Sequence, residues 1–147
     1  MVDRVVILRV GDHLFSLPFV HVDEILGVER AVRGSDVPEG AGNREPAESL
    51  WVDSRGRWLV IEKFLPDQAR DSRSQIVVMT DGESARAIIV DQVVGIEKAG
   101  PLAGFPQFIQ PYMDIPFAGV RFLKDRPVLE LDLSRLFSLD IEGTGIG

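Results

Sequence analysis

The chain has 147 residues, enough to bury roughly 68–70% of its unfolded surface in one domain, and its 45% hydrophobic and 27% charged composition excludes wholesale disorder. A formal net charge of −7, divided as −3 up to Ser74 and −4 after it, repels a phosphate backbone, so nucleic acid is not an expected partner. There is no cysteine, and His13 and His21 are the only histidines; this excludes disulfides, thiolate chemistry and multi-His metal sites, and leaves no expected cofactor or metal.

In chain order, short β-rich runs cover Val5 to Val10, Leu14 to Val20, Leu50 to Val52, Trp58 to Ile61, Gln75 to Thr80, Arg86 to Val90, Val93 to Glu97, Gly119 to Leu123 and Val128 to Leu131. Turn signals punctuate them at Gly11-Asp12, Ser54-Arg55-Gly56, Asp81-Gly82 and Lys124-Asp125. This spacing predicts an all-β domain built from hairpins. Val22 to Leu26 is too short for periodicity to choose between a strand extension and a turn of helix. Three stretches, 33–49, 66–74 and 100–116, read as loops because of their Gly, Pro or polar content. Near the C-terminus Leu133, Leu136 and Phe137 fall on one helical face behind Asp132 as N-cap, which predicts one short amphipathic helix. No run reaches the ~20 apolar residues of a membrane span, and the opening residues are too short for a secretory segment, so the cytosol is the expected compartment.

An internal repeat organises these elements. Val22-Asp23-Glu24-Ile25-Leu26-Gly27-Val28-Glu29 returns 68 residues later as Val90-Asp91-Gln92-Val93-Val94-Gly95-Ile96-Glu97, with Val, Asp, Gly and Glu identical. Each copy follows a strand, a Gly/Asp turn and a second strand, and each is followed by a hairpin strand ending in an acid, Trp58 to Glu62 and Val128 to Asp132. Two similar halves, about 1–72 and 73–147, account for this pattern, each consistent with a five-stranded closed or nearly closed sheet. Chance similarity between apolar strands is the alternative.

Gly11-Asp12 with Phe15-Ser16-Leu17-Pro18-Phe19, then Val22-Asp23-Glu24-Ile25, resembles the opening of CheW-like domains, and Arg55-Gly56 matches the Arg-Gly turn of that family. Ile88 to Ile96, Phe117-Ala118-Gly119-Val120 and Val128 to Phe137 resemble its second half. No single piece is specific; their order and spacing are, and they cover nearly the whole chain. The resemblance implies two SH3-like β-barrels side by side in a single CheW-like domain, 1–147. It also implies a non-enzymatic adaptor that joins the cytoplasmic tip of chemoreceptors to the regulatory domain of a CheA-type histidine kinase. Such an adaptor is cytoplasmic, recruited to receptor arrays, with no direct membrane insertion. Asp53-Ser54 before Arg55 and Glu62-Lys63 after the following strand depart from the family pattern, which motivates an alternative, a CheW-like module of another signalling pathway such as surface motility.

The receptor-binding candidates that the resemblance implies are Val22, Glu24, Arg55, Gly56 and Val93. Arg55 can fork onto a carboxylate or carbonyls while Gly56 supplies a positive φ; the alternative is an ordinary turn with a solvated arginine. Glu24 presents a carboxylate to a partner or pairs within the chain with Arg30 or Arg57. Val22 and Val93 line a groove between the halves or belong to the core. Trp51 and Trp58, flanking the turn, read as core of the first barrel. A carboxylate-dependent hydrolase using Asp91 and Asp132 is the enzymatic alternative, although both sit in repeated positions without a flanking catalytic motif.

Overall fold

A computed structural model describes residues 3–38, 49–63, 72–104, 117–124 and 126–133. Among the described residues there are twelve strands: β1 (Arg4–Val10), β2 (His13–Pro18), β3 (Val22–Gly27), β4 (Val32–Arg33), β5 (Leu50–Ser54), β6 (Arg57–Lys63), β7 (Gln75–Thr80), β8 (Ala85–Val90), β9 (Gln92–Lys98), β10 (Leu102–Gly104), β11 (Phe117–Leu123) and β12 (Arg126–Leu131). All nine expected runs are strands, and the undecided Val22 segment is a strand as well. β2 stops at Pro18, and Phe19–His21 forms a turn of 3-10 helix where the expected strand continued to Val20. Of the expected C-terminal helix only its first position, Leu133, falls within the described residues.

The strands form two six-stranded sheets, in the orders β10-β11-β12-β2-β1-β9 and β3-β7-β8-β6-β5-β4. This is the all-β, two-barrel fold expected, with one short strand added to each sheet: β4, of two residues, and β10, of three. Both lie in Gly- and Pro-containing stretches, where so few residues carry no periodic signal. Gly119 opposite Gly104 lets β10 approach, since a Cβ at Gly119 would collide with the Ala103 carbonyl.

The compact units are not consecutive in the chain: one contains 1–21 and 94–147, the other 22–93. The pairing pattern shows why. The β1–β2 hairpin opens the first copy of the repeat, yet it is hydrogen-bonded into a sheet whose other four strands, β9 to β12, come from the second copy. Reciprocally, the β7–β8 hairpin of the second copy sits among β3 to β6 of the first. Each inserted hairpin is joined on one side by a parallel contact, Leu129 opposite Phe15 in one sheet and Ile61 to Lys63 opposite Ala87 to Ile89 in the other. The repeat therefore survives as topology, with its hairpins exchanged.

Each unit has its own core. In the 22–93 unit Val52, Ile61, Ile76, Val78, Ala87 and Ile89 pack together; in the other, Val5, Ile7, Leu123 and Val128 do. On β1, β7 and β8 the alternate residues are buried too, which explains their unbroken apolar runs.

Candidate functional site

Ser54 pairs with Arg57 across a two-residue loop, Arg55-Gly56, with φ of 52° and 83°. Positive φ at both loop positions is the type I′ geometry that matches the twist of a hairpin. Gly56 was expected to take this conformation. Arg55 takes it as well, and a side chain there costs about 1–2 kcal/mol relative to glycine. An arginine at that position is poor turn chemistry, but its guanidinium makes contacts that a glycine could not.

That guanidinium meets β3. Arg55 Nε lies 3.2 Å from the Asp23 carboxylate, and its Nη2 donates to the Asp23 carbonyl at 3.3 Å. Arg57 Nη2 reaches the same carboxylate at 3.5 Å. Next to it, buried Ser54 donates its hydroxyl to Glu24 Oε1 at 2.6 Å. Adjacent residues of a regular strand point to opposite faces, so Asp23 and Glu24 should not reach one turn together. They do so because β3 carries a bulge against β7: Val22 opposes Met79 and Glu24 opposes Val78, with Asp23 as the extra residue. These contacts also curl the sheet, bringing β3 at one edge onto the β5–β6 turn.

The cluster thus holds two carboxylates and two guanidinium groups in a small, half-open patch. Asp23 is 20% exposed, whereas Arg55 is 60% exposed. Asp23 occupies the Nε–Nη2 edge of Arg55. Among the described residues, Nη1 and the remaining Nη2 proton face no acceptor, which leaves a bidentate donor fork for a carboxylate or for the carbonyls at a helix end.

Of the five sequence candidates, the structure brings Glu24, Arg55 and Gly56 together at this turn. Glu24 pairs with Ser54; among the described residues neither Arg30 nor Arg57, the local partners of the alternative reading, holds it. Val22 begins β3, one residue before the bulge, half-buried. Val93 is half-buried on β9, and its N–H donates to Gln75 Oε1 at 2.8 Å. Asp23 is the residue that sequence reasoning passed over. Its one visible signal was its place between Val22 and Glu24, and the bulge that turns it toward the arginines has no signature in a single sequence.

The other singled-out residues have structural places. Trp51 is buried in β5, and Trp58 is half-buried on β6. His13 is exposed beside the β1–β2 turn. Asp91 follows β8 in one unit, and Asp132 follows β12 in the other. Among the described residues no group of three or more His, Asp or Glu could hold a metal ion, and no helix is long and apolar enough to cross a membrane.

Comparison with known proteins bears on the family and on the fold. The family model described as CheW-like domain matches residues 4–140. Among solved structures, the scaffolding protein TtCheW from Thermoanaerobacter tengcongensis superimposes with a TM-score of 0.63 at 15% identity, covering 90% of this chain and 90% of that one. Comparison with curated protein sequences gives no significant match.

Proposed function

This chain belongs to the CheW-like domain family, and from that premise we propose that it is a non-enzymatic scaffold coupling chemoreceptors to a CheA-type histidine kinase. Residues 1–147 act as a single CheW-like domain in the cytoplasm, recruited to receptor arrays, using neither cofactor nor metal. The observation that carries the receptor side of this reading is the exposed donor fork of Arg55, held in a strained turn conformation by contacts from β3. A guanidinium fork suits the carboxylates and free carbonyls that a partner helix presents. Val22, Glu24, Gly56 and Val93 complete the proposed receptor-binding set.

The test is Arg55→Glu, with affinity for a chemoreceptor-tip helical hairpin and thermal midpoint measured in parallel. Replacing the donor by a like charge should weaken binding by about 2–5 kcal/mol. Its pair with Asp23 is a half-exposed surface contact, so stability should move by only about 0.5–1 kcal/mol. Arg57→Glu, across Gly56, is the control and should weaken binding less. Equal small losses from both variants would reduce the effect to net charge. Unchanged affinity for Arg55→Glu, together with retained binding to the kinase regulatory domain, would favour a CheW-like module of another signalling pathway. The altered turn sequence, with Ser54 committed to Glu24, supports that second reading.

A further inference from the structure

We propose that Asp23 is a positioning residue for partner recognition: its carboxylate, delivered by the β3 bulge, aims the free end of the Arg55 fork outward. This inference rests on the receptor reading above and assigns a role within that site to a residue that never need touch the partner. Three observations converge on it. Asp23 is the unpaired residue of the bulge, so its direction is set by the backbone and not by the strand's alternation. It takes two bonds from a single edge of Arg55, one through its carboxylate and one through its carbonyl, and so fixes the plane of the guanidinium as well as its position. It is the less exposed member of the pair, 20% against 60%, so the acid acts as the fixed base and the arginine as the presented tip.

A second carboxylate beside the arginines could be read in the opposite sense, as a competitor that neutralises the site against an acidic partner. The two roles predict opposite signs. Asp23 and Glu24 balance Arg55 and Arg57 in formal charge, so Asp23→Asn removes one negative charge and leaves the patch at +1. If competition dominated, this would strengthen binding; a unit charge about 6 Å away in water, screened at physiological salt, gives a gain of roughly twofold. If positioning dominates, the arginine keeps its bond to the residue-23 carbonyl but loses the ion pair that fixes its plane, and immobilising it again on binding costs about twofold to tenfold in affinity for one rotamer-rich side chain.

The experiment is a double-mutant cycle in the full chain, with Asp23→Asn, Arg55→Gln and the double variant. Each is titrated with a chemoreceptor-tip helical hairpin at physiological salt and checked for fold by circular dichroism. We expect Asp23→Asn to bind about twofold to fivefold more weakly than wild type, the positioning loss less the electrostatic gain, and to have no further effect once Arg55 is glutamine. Tighter or unchanged binding by Asp23→Asn, alongside a loss from Arg55→Gln, would overturn the positioning role while leaving the receptor reading intact. An equal loss from Asp23→Asn with and without Arg55 would also overturn it, because the effect would not pass through the arginine. No loss from Arg55→Gln would remove the receptor reading and this inference with it. Should Asp23→Asn disturb the fold, Asp23→Ser serves in the same cycle, with the same outcomes deciding.

Discussion

Glu62 and Glu130 stand 68 residues apart, each the penultimate residue of the second strand in its copy's hairpin, and each grips an arginine through both carboxylate oxygens. The arginines come from different places. Glu130 takes Arg121 from β11, its antiparallel neighbour, with bonds of 2.7 and 2.6 Å. Glu62 takes Arg86 from β8, the strand lying parallel on its other side, with Nε at 2.7 Å. The surroundings differ as well. Arg121 also donates to the Gly100 carbonyl at 2.9 Å, Ser16 approaches Glu130, and both charges are buried; Glu62 remains 28% exposed. A repeat can therefore keep the place of an acid while leaving its cation to whichever neighbouring strand supplies a long enough side chain. The cost of removing the acid should follow burial and not position.

The largest effect is expected from Glu130→Ala, which strands the Arg121 charge in the interior and should destabilise the protein by about 3–5 kcal/mol in urea unfolding. Glu62→Ala strands Arg86, which is itself buried, but the 28% exposure of the acid it loses lets water replace that carboxylate, so the cost should be less, about 1–3 kcal/mol. Equal losses would break the comparison and mean that water reaches both pairs alike. The smallest effect sharpens a second contrast between the copies, that of their hairpin turns. Lys124, between β11 and β12, has a φ of 57°, close to the 52° of Arg55. Lys124→Gly should relieve that strain and raise stability by about 0.5–1 kcal/mol, as read by thermal midpoint. Arg55→Gly should gain less, because it also gives up the bonds to Asp23. A larger gain at Arg55 would mean that those bonds add nothing to the fold.

Much of this was legible in the residues. Apolar alternation and turn dipeptides located nine strands, and the recurrence of Val22 to Glu29 at Val90 to Glu97 revealed a duplicated plan. Gly56 could be assigned its positive φ because glycine is the residue that adopts it freely. What could not be read depends on pairing between distant segments. The β1–β2 and β7–β8 hairpins look the same in sequence whether they stay with their own copy or change places, since a parallel join needs only an apolar strand on each side. Glu24 and Asp23 show the same limit at the candidate site. A carboxylate beside arginines was foreseeable, but which acid meets which donor was decided by one extra residue in the β3–β7 ladder. Arg55 was visible as an exposed turn residue, whereas the edge of its guanidinium already engaged was not.

The exchange of hairpins also sets a timetable for synthesis. A ribosome delivers β1 and β2 ahead of the other strands, yet their sheet neighbours β9 and β12 emerge some eighty and more than a hundred residues later. The segment from Val22 to Val93 holds every described strand of its own sheet, the last of which to emerge is β8. The later-starting unit is therefore the first that can close, and the opening hairpin must wait, apolar on both faces, until the chain that houses it arrives. Contacts so far apart in sequence are the kind that slow folding, so exposure of β1 during translation is the interval in which a chaperone would have most to protect.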